Sequence, residues 1–164
     1  MENSKTFKNL MDAFSGESQA NRKYEAYAKK AETEGKKNAA KLFKVAADAE
    51  TLHALKEYEL AGKVKSTLEN LEDGIEGETY EYKTMYPEFI KEAEEEGNKK
   101  AVQAFTFAMK AEEVHAALYK DAIENIDQEE EIFYYLCPVC GNIEKVVPEK
   151  CHICNVPGSK FIKY

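Results

Sequence analysis

Apolar residues recur at helical spacing through roughly the first 126 positions of the chain and then lose that period. Phe7, Leu10, Met11, Phe14, Tyr24, Ala28 and Ala31 predict a first helix over 5–33, with Ser4 as N-cap and Gly35 beyond its end. Ala39, Leu42, Phe43 and Ala46 predict a second helix over 38–60, closed by Gly62. The pattern lapses over 63–74, read as the one long link, with a possible capping box from Ser66 to Glu69. A third helix is predicted over 75–95, with Pro87 inside it as a kink or local break. The fourth takes 99–126, with Ala101, Ala104, Phe105, Ala108, Tyr119 and Ile123 on its apolar face.

Sliding the sequence along itself by 62 positions exposes an internal repeat. Tyr24, Glu32, Gly35, Phe43, Ala46, Glu50 and His53 return as Tyr86, Glu94, Gly97, Phe105, Ala108, Glu112 and His115. A duplicated αα-hairpin packs as two related halves, so inward side chains kept in both halves meet at the centre of a four-helix bundle.

Two such kept pairs carry chemistry. Glu50 with His53 and Glu112 with His115 stand at i, i+3 spacing, which places both donors on one helix face, and they continue the apolar stripes of their helices. A carboxylate on an apolar stripe is costly to bury unless a cation or strong hydrogen bonds meet it. Glu17 on the first helix and Glu78 and Glu81 on the third complete an inward set from all four helices. One Glu-x-x-His in a Glu-rich chain is ordinarily a solvated face; two in register within a repeat argue for a dinuclear carboxylate site of the ferritin-like kind. Carboxylates with two imidazoles suit iron or manganese, with Glu50 and Glu112 as the natural bridges. Tyr24 and Tyr86 follow Glu17 and Glu78 by about two turns. They read equally as core aromatics or as hydroxyls beside the carboxylates. Glu57 and Tyr58, beyond His53, read as surface or inter-subunit residues.

The last 28 residues hold all four cysteines, as Cys137-x-x-Cys140 and Cys151-x-x-Cys154. Two such knuckles in so short a segment specify a tetrahedral four-sulfur metal site, and the pairing suits thiolates in a reducing compartment better than disulfides. Iron and zinc both accept four thiolates. Iron is favoured beside a two-iron site, where it would relay electrons, with zinc as a possible substitute that would only staple about 33 residues too few for a core. His152, between cysteines, reads as a solvent-facing loop residue. The expected division is a helical domain over 1–131 and a cysteine domain over 132–164.

Charge narrows the function classes. The net charge of −8 is concentrated in residues 1–131, because residues 132–164 carry four Lys against two Glu. No basic face that could displace counterions from nucleic acid is present. No apolar run approaches the ~20 residues of a membrane helix and no signal pattern opens the chain, so a cytoplasmic location is expected. No Gly-rich dinucleotide fingerprint occurs.

The stretches Gly16-Glu17-Ser18-Gln19-Ala20, Ala49-Glu50-x-x-His53, Gly77-Glu78-Thr79-Tyr80-Glu81 with Met85-Tyr86-Pro87, and Ala111-Glu112-Glu113-Val114-His115 resemble the rubrerythrin family over essentially the whole chain. The cysteine segment, with Gly141 and Val156-Pro157, resembles that family's rubredoxin-like domain; Asn155 departs from the Gly frequent there, though Asn tolerates a left-handed backbone. The resemblance implies an all-α, ferritin-like four-helix bundle with iron on Glu17, Glu50, His53, Glu78, Glu81, Glu112 and His115, and a further iron on Cys137, Cys140, Cys151 and Cys154. It implies that Glu81 and His53 alternate on one iron with oxidation state, which with Tyr24 and Tyr86 makes them the candidate catalytic residues. The implied activity is reduction of hydrogen peroxide to water in oxidative-stress defence. Electrons would come from NADH through an external rubredoxin or flavoprotein reductase, and the cysteine relay would serve a neighbouring subunit in a homodimer. The alternatives are a ferritin-like ferroxidase that handles iron, and a structural bundle with a zinc-ribbon docking module.

Overall fold

A computed structural model describes residues 4–164. The helices α1 (Lys5–Thr33) and α2 (Lys37–Leu60) form one hairpin, and α3 (Thr67–Tyr80), a π turn (Glu81–Met85), α4 (Tyr86–Glu95) and α5 (Lys99–Glu124) form another. A three-stranded antiparallel sheet follows, from β1 (Tyr135–Leu136), β2 (Ile143–Glu144) and β3 (Ile162–Lys163), in the order β2-β1-β3. With α3, the π turn and α4 counted as one rod, these are the four helices and the small C-terminal metal-binding module that the predicted fold class requires.

The helix ends follow local chemistry. Ser4 Oγ accepts from the Phe7 amide at 3.1 Å, and Gly35, Gly62 and Gly97 take the left-handed conformation that closes α1, α2 and α4. The link expected over 63–74 is shorter than predicted. The capping box at Ser66 and Glu69 forms and starts α3 at Thr67, so only 61–66 lie outside helices. The lapse in apolar period came from Glu69, Asn70, Glu72 and Asp73, which are helical but leave Leu71 as the one apolar side chain in that stretch.

Pro87 does not break the third rod. It is the second residue of α4, and the irregularity lies just before it as the π turn, whose wider spacing accommodates the missing amide.

Two compact units result, divided between Lys65 and Ser66. In the first, the fully buried apolar side chains of α1 and α2 are alanines (28, 31, 40, 47 and 54), which lets the two backbones approach closely. Buried Asn21 ties them, its Nδ2 donating to the Ala47 carbonyl and to Thr51 Oγ1 at 2.7 Å each. The second unit joins α3–α5 to the cysteine module. Cys137, Cys140, Cys151 and Ile153 are buried with Ala111 of α5, and Phe107 packs against them. Lys145 also pairs with Asp121 of α5. The cysteine segment expected as a separate domain from residue 132 thus shares a core with the helix before it.

Candidate metal centres

Each hairpin brings together one Glu-Glu-His trio. On the first unit Glu17, Glu50 and His53 offer ligand atoms within 4.8 Å of one another, and on the second Glu78, Glu112 and His115 do the same. The i, i+3 spacing brings His53 Nδ1 to 3.5 Å from Glu50 Oε2, and His115 Nδ1 to 2.7 Å from Glu112 Oε2. Six of the seven carboxylate and imidazole positions named from the sequence thus fall into the two trios. Glu81 stands outside the second trio, yet burial, and then the Glu112 charge, raise its carboxyl above the ordinary range.

The donor chemistry fits cations. Burial and a hydrogen bond with Glu112 push Glu78 up to about 7, while Glu112, despite its burial, is held down by His115 and Glu78. Of the two, Glu78 is the carboxyl that takes a proton more readily, beside the charge of Glu112. In the other trio, the hydrogen bond with Glu50 is the main cause of a raised Glu17. Paired carboxylates that raise one another's proton affinity and stand beside an imidazole nitrogen are suited to divalent iron.

The two histidines differ. The His115 side chain is 17% exposed and its Nε2 lies 2.9 Å from the Gly141 carbonyl, to which it donates; burial lowers its proton affinity, but the hydrogen bonds with Glu112 and Gly141 and the carboxylate charges outweigh it, and Nδ1 is the atom that faces Glu112 and would turn to a metal. The His53 side chain is 59% exposed, with Nδ1 alone near carboxylates.

Tyr24 and Tyr86 stand in matching aromatic groups. Tyr24 neighbours Tyr27 and Phe43, and Tyr86 neighbours Phe89 and Phe105, all at repeat-related positions. Both are core aromatics, and Tyr86 is also close to the site. Burial first, then the charges of Glu81, Glu112 and Glu78, raise its phenol, so Oη keeps its proton at neutral pH.

Sequence reasoning underweighted two residues. Glu57 is half-buried, carries a buried Oε2 with no hydrogen-bond partner, and lies close enough to Glu17 to raise it. Its repeat counterpart Tyr119 is raised by burial and by Glu78 and Glu112. The repeat was the signal, since both lie four residues past a ligand His on the same helix face. Tyr119 also explains Gly74, where a Cβ would meet its ring at 3.1 Å.

The four cysteines converge in a second kind of site. Cys137 Sγ lies 3.5 Å from Cys154 Sγ and Cys140 Sγ lies 3.5 Å from Cys151 Sγ, far beyond a disulfide bond and close to the ~3.8 Å edge of a tetrahedron with metal–sulfur bonds of about 2.3 Å. Burial raises Cys140, whereas amides of Cys140 and Val139 outweigh burial and lower Cys137. Both knuckles turn through a left-handed residue, Gly141 and Asn155, so the Asn substitutes as expected. His152 is exposed and pairs with Glu144 at 2.9 Å, away from the sulfurs.

The rubrerythrin family model matches residues 8–123. The chain belongs to the rubrerythrin family. It is 41% identical to nigerythrin of Nitratidesulfovibrio vulgaris, over 97% of this chain and 86% of the relative. It is 32% identical to rubrerythrin-2 of Clostridium acetobutylicum, over 98% and 97% of the two chains. Those alignments run over 174 and 180 positions against 164 residues here, so both relatives carry at least ten residues that this rubrerythrin-family chain lacks. A solved structure of fully reduced, all-ferrous nigerythrin matches with a TM-score of 0.61 at 40% identity, covering all of this chain and 89% of that one. Family membership makes this a di-iron oxidoreductase-type protein of oxidative-stress defence, with two irons on carboxylate and histidine and a rubredoxin-type iron on four cysteines.

Proposed function

We propose that the protein is a peroxidase that reduces hydrogen peroxide to two waters, taking two electrons and two protons per turnover. The observation that carries this reading is the hydrogen bond from His115 to Gly141, which ties a carboxylate–imidazole trio to the backbone of the cysteine knuckle within one unit. Iron storage needs no such connection to a thiolate module, and a zinc ribbon built for docking would not need to touch a ligand imidazole.

A ferrous pair, held at the two trios, would supply the two electrons needed to cleave the O–O bond. Glu17, Glu50, Glu78, Glu112, His53 and His115 are the residues that would hold it. Glu81 and His53 are the proposed alternating pair. Glu81 already stands beside the trio without belonging to it, and the exposed His53 lacks the second anchor that fixes His115. An anionic carboxylate favours the ferric state and a neutral imidazole the ferrous state. Tyr86 Oη, protonated beside the carboxylates, can hydrogen-bond to a bound oxygen substrate; Tyr24 is its counterpart in the first hairpin.

In this reading the helices over 1–131 perform the reduction and the module over 132–164 returns electrons, through Cys137, Cys140, Cys151 and Cys154, to the trio its own chain touches. Electrons reach it from NADH by way of a rubredoxin or flavoprotein reductase in the cytoplasm. The test is anaerobic peroxide consumption by pre-reduced protein. Stoichiometric consumption by wild type and a strong slowing in Glu81→Ala, with iron content retained, are expected; iron uptake with no peroxide consumption would favour the ferroxidase alternative.

A further inference from the structure

The first trio draws its ligands from two helices that meet on small side chains. The buried apolar residues of α1 and α2 are alanines, at 28, 31, 40, 47 and 54. Alanine faces let two helices approach closely, but they interlock shallowly, so they fix the sliding and rotation of one helix on the other only loosely. The turn between Thr33 and Lys37 fixes it at one end. Glu17 lies sixteen residues before the end of α1, about 24 Å along the axis, far from that restraint.

One polar side chain stands in this alanine seam. Asn21, one helical turn after Glu17, is 6% exposed. Its Nδ2 donates across the seam to the Ala47 carbonyl and to Thr51 Oγ1, at 2.7 Å each, and Thr51 Oγ1 donates in turn to the Ala47 carbonyl at 3.2 Å. Asn21 Oδ1 accepts from Arg22 Nε at 2.7 Å, which leaves Nδ2 for α2. Thr51 follows Glu50 directly, and Ala47 lies one turn before it. The bonds thus join the turn of α1 that carries Glu17 to the turn of α2 that carries Glu50 and His53. They are directional where the alanines are not, because sliding α1 by one residue would bury the amide without its acceptors. A lone Asn in an apolar helix seam is an attested device for setting register. The second hairpin has no equivalent. The repeat puts Lys83 at the place of Asn21 and Glu113 at that of Thr51, and both are exposed, so a hairpin of this repeat closes without the bond.

We propose that Asn21 is a positioning residue for the first metal trio. Its paired donation to Ala47 and Thr51 sets the register of α1 on α2 and holds Glu17 opposite Glu50 and His53. The proposal rests on the reading that the trios hold iron.

Ferrous binding under anaerobic conditions tests it. Asn21→Leu keeps the side-chain volume and replaces a buried amide by an apolar group, so the metal-free urea midpoint should stay at or above that of the wild type. Iron binding should change selectively. Of the two bundle irons, the one held by Glu17 and His53 should bind at least about tenfold more weakly, as when an outer partner of a ligand is removed, while the other and the four-cysteine iron remain. Competition with a ferrous chelator gives the affinities, and Mössbauer spectra tell the irons apart. Thr51→Val, which removes one of the two bonds, should weaken the same iron less, and Thr51→Ser, which keeps the hydroxyl, should bind as the wild type does. Wild-type affinity for both bundle irons in Asn21→Leu would overturn the proposal. So would loss of both irons in step with a lowered urea midpoint, which would make Asn21 a packing residue. If Asn21→Leu does not fold, Thr51→Val decides, and wild-type affinity there overturns the proposal equally. A wild-type chain that takes no ferrous pair would instead defeat the reading of the trios as iron sites, and the role of Asn21 with it.

Discussion

At the scale of single residues, the site is decided by which side of α5 a carboxylate takes. Glu112 is half-buried beside His115 and Glu78, while its neighbour Glu113 is exposed. Glu112→Ala should abolish the coupled iron pair, whereas Glu113→Ala should leave metal content unchanged and stability within about 0.5 kcal/mol, measured by iron analysis and urea denaturation. Glu78 gives a pH prediction for metal-free protein. Its folded-state proton affinity is raised, so its contribution to stability is fully present below about pH 4.5 and is lost as pH rises through about 7. Glu112, lowered, works in the opposite direction. Comparing the metal-free wild type with Glu78→Gln isolates the first effect: the urea midpoint of wild type relative to the variant should fall across pH 4.5–7. A flat difference would mean that folding does not raise Glu78.

At the scale of elements, the π turn is where the two halves of the repeat part. Glu17 precedes Tyr24 by seven residues, but Glu78 precedes Tyr86 by eight, so the third helix holds one residue more than the first between matched positions. A regular helix would rotate everything beyond that insertion by about 100°. The widened turn at Glu81–Met85 absorbs it, keeps Tyr86 in register with Tyr24, and begins at Glu81, the carboxylate without a counterpart on α1. Deleting Lys83, exposed within the turn, should restore regular α-helix with little change in circular dichroism, retain both irons, and slow peroxide turnover as Glu81→Ala does. Turnover at the wild-type rate in the deletion variant would detach the π turn from function.

At the scale of the whole molecule, two metal chemistries meet through one contact of α5. The Gly141 carbonyl accepts from His115, and a Cβ at Gly141 would stand 4.0 Å from Ala111 Cβ, so the knuckle lies directly on the helix. Cys140→Ser should remove the red thiolate-to-iron absorption and steady-state turnover with a reductase, yet leave a chemically pre-reduced protein able to consume one equivalent of peroxide. Loss of that single turnover as well would mean the cysteine module is structural to the trio and not a relay. Replacing Gly158 has a purely structural expectation: a Cβ there would lie 1.7 Å from the Pro148 carbonyl oxygen, so Gly158→Ala should unfold the module and release its iron, seen as bleaching of the same band.

Much of this protein is determined by its sequence alone, because its information is periodic and local. Helix faces, glycine stops, the Ser4 and Ser66 caps, the Glu-x-x-His pairs and the cysteine knuckles each depend on residues a few positions apart, where backbone geometry fixes what faces what. The one-residue offset of the π turn was visible too, as the unequal spacing to Tyr24 and Tyr86. Tertiary structure decided what depends on distance through space. The link shrank to 61–66 because a capping box, not apolar periodicity, starts α3. Glu57 and Tyr119 came close to the carboxylates through helix packing. The cysteine module joined α5 because Ala111 and Gly141 are small enough to let the knuckle reach His115, a contact between residues 26 positions apart that no local pattern encodes.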